Sequence, residues 1–156
     1  MSPRFSYLAA GLLLSILLFP PLATAQNIGD PLPTMETAKA ARVAKPYRKA
    51  YDFNKDWDYF TYNIPVWKAV LASYKGKPDV HYLEIGVFEG RSSVWMLENI
   101  LTHRTSRLTE LDIFVDHMQD SGETIKKRYL SNVKIAGGET RLTLIVGPSQ
   151  VELRKL

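Results

Sequence analysis

The 156-residue sequence predicts an α/β domain built on a parallel sheet with flanking helices on both faces. Three observations lead there. From Trp57 onward, strand-like and helix-like stretches alternate three times. Short turns connect them, as in βαβ units. The length suits one domain rather than two, and 46% hydrophobic residues with 11% aromatics can build a core.

The elements follow in order. Pro65 sits where a helix tolerates proline best, in its first turn, and Gly76 lies just past its end. Between them Val66, Trp67, Val70, Leu71 and Tyr74 fall on one helical stripe. Residues 80–85 (VHYLEI) are β-rich and run into Gly86–Gly90. A second helix spans about Arg91 to Leu101, with Val94, Trp95, Leu97 and Leu101 apolar. Residues 107–114 form a second strand. Ser121 caps a third helix to about Leu130, and Gly137-Gly138 is a turn. Residues 141–146 (RLTLIV) form a third strand. Ser149 and Glu152, three apart, form a capping box that opens a fourth helix.

Composition narrows the function. With no cysteine there is no disulfide framework, thiolate metal site or thiol nucleophile. The net charge of +4 is too small to indicate nucleic acid by itself. Residues 8–19 are an apolar run broken by Pro20 and Pro21, and Ala23-Thr24-Ala25 follows with small–x–small spacing. This predicts a signal peptide over residues 1–25, cleaved after Ala25, and a secreted or periplasmic product. The alternative is an uncleaved membrane anchor with the domain on the cytoplasmic side, because Lys39, Arg42, Lys45, Arg48 and Lys49 follow the apolar run. Residues 26–56, with three prolines, read as a linker in which Met35–Val43 could form a short helix. The domain proper spans 57–156.

In a parallel α/β sheet, ligands bind beyond the carboxyl ends of the strands. The informative residues are therefore those that follow each strand. Gly86 and Gly90, four apart, let the chain turn sharply and approach a ligand closely. The helix opening at Arg91 offers free N–H groups to a carboxylate or phosphate, and Ser92 and Ser93 can cap it or bond the ligand. Asp112, 22 residues after Gly90, can accept hydrogen bonds from the hydroxyls of a ribose. Glu110 shares its face but lies one pleat deeper. A glycine turn with an acid so spaced indicates an adenosine-type cofactor, either a dinucleotide or S-adenosylmethionine. Phe88 stands where a pyrophosphate loop wants its middle glycine, which disfavours the dinucleotide. Glu84 could receive the amino group of a methionine-type ligand.

The string YLEIGVFEGRSSVWMLENIL, followed by LDIF and LIVGPSQVELRKL, resembles the class I S-adenosylmethionine-dependent methyltransferases, of the small methyltransferase domain 24 type. The resemblance runs from about Trp57 to Leu156. It implies the N-terminal, cofactor-binding half of a Rossmann-like fold, with strands four to seven and an acidic fourth motif not contained in this sequence. It implies S-adenosyl-L-methionine as cofactor. The implied contacts are Glu84, Gly86, Val87, Phe88, Gly90, Arg91 and Ser92, then Asp112 and Ile113, and Ser149 beside the adenine. The methyl acceptor and the catalytic residues stay open. A non-catalytic, exported or tethered ligand-binding α/β module is the alternative.

Other features read more plainly. His81, His103 and His117 have no metal spacing, and no metal is expected. Asp112, Asp116 and His117 read as a polar loop, with His117 as a general base the sharper option. The dense aromatics from Tyr47 to Trp67 read as packing over the sheet, with a substrate-binding lid as the functional alternative. Association with a membrane through the N-terminus and homo-oligomerisation are further options.

Overall fold

The computed structural model describes residues 14–18 and 47–156. The sheet has four strands in the order β1-β2-β3-β4: β1 Leu14–Leu18, β2 His81–Ile85, β3 Arg107–Asp112 and β4 Leu142–Val146. Strands β2, β3 and β4 are parallel, with Glu84 opposite Glu110 and Asp112 opposite Val146. Strand β1 joins the outer edge of β2 in antiparallel register, Leu14 opposite Ile85 and Leu18 opposite His81. Apart from these five residues, the proposed leader and the helix at Met35–Val43 lie outside the described residues.

The helices are α1 Ile64–Val70, α2 Arg91–Asn99, α3 Gly122–Ala136 and the short α4 Ser149–Glu152. Pro65 does lie in the first turn of α1, and 3-10 turns at 61–63 and 72–74 flank that helix. Helix α3 is six residues longer than its apolar pattern suggested. Ser121 caps it by accepting the Thr124 N–H at 3.2 Å, and Gly137 ends it in the left-handed conformation. The capping box at Ser149 does not form. Pro148 is the N-cap residue of α4, and Ser149 already lies inside the helix.

The expectation of helices on both faces is corrected for α1, α2 and α3. Trp67 of α1 packs on Tyr82, Ser92 of α2 donates to Glu84, and Tyr129 of α3 donates to Glu110. Tyr82, Glu84 and Glu110 point to one side of the sheet, so α1, α2 and α3 share one face. The reason is topological. The parallel crossovers through α2 and α3 step the same way across the sheet, and right-handed crossovers that do so pass over the same face. Helix α1 is no such crossover and reaches that face by packing Trp67 on Tyr82.

The core lies between these helices and the sheet. Trp95, Phe60, Tyr82, Met96, Leu101 and Leu108 are almost wholly buried. Phe60, Trp67 and Trp95 meet at ring separations of 4.8–5.9 Å in tilted and edge-to-face pairs. Among the described residues, no helix is long and apolar enough to cross a membrane. Because Trp95 touches both Phe60 and Trp67, Trp95→Ala should cost about 3–5 kcal/mol of stability in urea unfolding.

Candidate ligand site at the strand ends

Beyond the carboxyl ends of β2 and β3 lies an open cavity of about 210 Å³. Its walls include the predicted residues Gly86, Val87, Phe88, Arg91, Ser92 and Asp112. They also include Tyr59, Phe60, Glu89, Phe114, Val115, His117 and Ile125, which the motif alone did not single out. The aromatic density before α1 was the available signal for Tyr59 and Phe60, and His117 stood out as a lone loop histidine. Nothing local marked Glu89, Val115 or Ile125.

The glycine turn is shaped by its backbone. Gly86 and Gly90 have φ of +80° and +79°, so both need the freedom that glycine supplies. Phe88 takes φ +49° and Phe114, across the cavity, +47°. An aromatic residue held there costs about 1–2 kcal/mol, and such strain collects at functional sites.

Asp112 maintains this shape. Its Oδ2 accepts the N–H groups of Val87 at 2.7 Å and Phe88 at 2.9 Å. Its Oδ1 accepts the Phe114 N–H at 2.7 Å. A carboxylate has about four acceptor positions, so roughly one remains, on Oδ1, for a ligand hydroxyl. The Leu111 carbonyl accepts the Gly86 N–H at 2.8 Å, and the Asp112 carbonyl accepts the Gly147 N–H at 3.0 Å. The three strand ends are thereby linked.

Four predicted contacts lie elsewhere. Gly90 shapes the turn but does not line the cavity, and Ile113, half exposed, and Ser149 are also outside its lining. Glu84 is completely buried beneath the turn, where Tyr82 donates to Oε2 at 2.9 Å and Ser92 donates to Oε1. Ser92 is thus occupied by Glu84 rather than capping α2. Arg91 lines the cavity, but its guanidinium donates to the Asn54 carbonyl and stacks 4.4 Å from the Phe53 ring. It ties down the preceding segment instead of awaiting an anion.

Glu110 faces Glu84 from the neighbouring strand and is equally buried. Tyr129 donates to its Oε2, and the Ser93 hydroxyl also lies close enough to the carboxyl to favour its charged form. Burial, then repulsion from Glu110, pushes the Glu84 carboxyl up to about 8. Burial pushes Glu110 up to about 7, against the pull of the Tyr129 hydroxyl. The pair therefore retains a proton near neutrality.

At the mouth, rings from three segments meet. The Tyr59 hydroxyl lies 3.0 Å from His117 Nε2. Trp57 and Phe88 present their rings to the same imidazole at 5.3 and 5.4 Å. The aromatic segment before α1 thus covers the cavity as well as the core. No group of three or more metal-binding side chains occurs among the described residues.

Residues 83–156 match the model of a protein family described as Methyltransferase domain. No curated protein and no solved structure matches the chain.

The buried carboxyl pair gives a test by pH. Both groups have folded pKa values above the unfolded value of 4.5, so their stability is fully present below about 4.5 and lost as pH rises through about 7–8. Unfolding free energy should fall across that window, and Glu84→Gln, which cannot ionise, should flatten much of the fall. Urea titrations at pH 5 and pH 8.5 would show the difference.

Proposed function

We propose, from the match of residues 83–156 to the model of a methyltransferase domain, that the chain is the S-adenosylmethionine-binding part of a methyltransferase. The observation that carries this reading is the cavity at the ends of β2 and β3, walled on one side by a left-handed glycine turn and clamped by Asp112.

The residues present fit the cofactor. The free position on Asp112 Oδ1 suits one ribose hydroxyl. Phe114, Val115 and Ile125 give an apolar wall for a flat base. The absence of a side chain at Gly86 leaves space beside the turn, since a Cβ there would meet nothing within 4 Å. Glu84 is supported in a different role from the one its motif suggests. With both oxygens engaged beneath the turn, it underpins Ser92 and α2 rather than receiving an amino group.

When bound, the cofactor supplies an electrophilic methyl group on a sulfonium. This chain's part is to orient it and exclude water. Tyr59, Phe88 and His117, which close over the cavity mouth, serve the second task. The methyl acceptor is a separate molecule. The location is a separate proposal: secreted or periplasmic through the apolar run and Ala23-Thr24-Ala25, with an uncleaved anchor and a cytoplasmic domain as the alternative.

Isothermal calorimetry with S-adenosylmethionine tests the reading. The wild-type chain should bind one equivalent. Gly86→Val should lose at least tenfold in affinity, because a β-branched residue at φ +80° distorts the turn although the side chain has room. No binding by the folded wild type would leave a non-catalytic module for another ligand as the better account.

A further inference from the structure

Glu89 lies between two residues in the left-handed region, Phe88 and Gly90, and is completely buried. It borders the cavity, but both of its oxygens are engaged by residues outside the lining. Oε2 accepts the Asn54 N–H at 2.7 Å, and Oε1 accepts from the Arg128 guanidinium at 2.9 Å. The Glu89 carbonyl accepts from Asn132 Nδ2 at 3.0 Å, and the same amide holds both backbone groups of Asp52. Arg128 and Asn54 meet again on Asp120, at 2.6 and 3.0 Å. The buried carboxylate thus joins the glycine turn to the segment before α1 and to helix α3, and through Asn54 and Arg128 to the loop after β3.

Core filling alone does not account for this arrangement. An apolar side chain would fill the volume but would leave the Asn54 N–H without its acceptor and take from Arg128 its one fully buried partner, leaving it Asp120 and Asp52. Phe88 holds a strained conformation with its N–H on Asp112, and the bonds made by Glu89 fix the next residue of the same turn.

We propose that Glu89 is a positioning residue for S-adenosylmethionine: it fastens residues 47–60 and the glycine turn into one preformed wall, and affinity depends on that fastening. The proposal rests on the cofactor reading above. Where the wall is assembled only part of the time, apparent affinity falls by that fraction.

The test uses the full chain as wild type, Glu89→Gln and Arg128→Gln, with two readouts: S-adenosylmethionine affinity by calorimetry and amide hydrogen exchange without ligand. Glutamine keeps the shape of Glu89 and one acceptor but loses the ion pair. Glu89→Gln should bind about tenfold more weakly. Exchange should quicken at Asn54 and Gly90 while the β3 amides Leu108–Leu111 stay as protected as in the wild type. Affinity equal to wild type would overturn the proposal. So would equal acceleration in β3, which would mark Glu89 as merely structural. If Glu89→Gln does not fold, Arg128→Gln decides by the same criteria, because Arg128 lies outside the cavity lining. Failure of the wild type to bind would instead remove the cofactor reading, and the exchange data would still show whether the fastening exists.

Discussion

The Asp112 carboxylate is the interaction on which the site depends. It stands at the end of one parallel strand and accepts N–H groups from the turn that follows the neighbouring strand. Those N–H groups cannot be satisfied by the sheet, because the chain has already left it. A hydrogen bond to a charged group is stronger than a neutral one, and three converge here. The result is a turn held in a conformation that its sequence would not choose, with Phe88 in glycine-like geometry. The cavity exists because that turn stays open.

Carboxylates do three different jobs within a short distance. Asp112 is half-buried and is surrounded by backbone donors. Glu89 is buried but has a cation, Arg128, and shares it with Asp120 and Asp52. Glu84 and Glu110 are buried with hydroxyl donors and each other. Their raised pKa values follow from that difference, since desolvation without a cation favours the neutral form. Proton uptake by the pair is therefore built into the sheet beneath the turn, out of contact with the cavity.

The segment before α1 has a double attachment. Tyr51 and the Arg48 N–H bind Glu98 near the end of α2, and Lys49 reaches the Ile135 carbonyl on α3. Farther along, Trp57 and Tyr59 reach the cavity mouth. A stretch that composition marks as a linker up to residue 56 is thus folded onto the domain from Tyr47 onward. Its prolines and basic residues obscured this, because aromatic residues spaced without a helical or strand period give no local signal.

Much of the architecture was legible in the chain itself. Alternating periods located β2, α2, β3 and β4 to within a few residues and the start of α3, though not its end, and Gly86 and Asp112 marked the end of the sheet that carries the candidate cavity. These features are local: a period, a positive-φ residue and a strand-end acid each act over a few positions. Tertiary structure decided what long-range pairing controls. It turned Glu84 inward against Glu110, used most of Asp112 on its own backbone, and brought Glu89, Asn54 and Arg128 together from 35 and 39 residues apart. It also put α2 and α3 on one face, because the direction of successive crossovers is a property of strand order and not of any single segment.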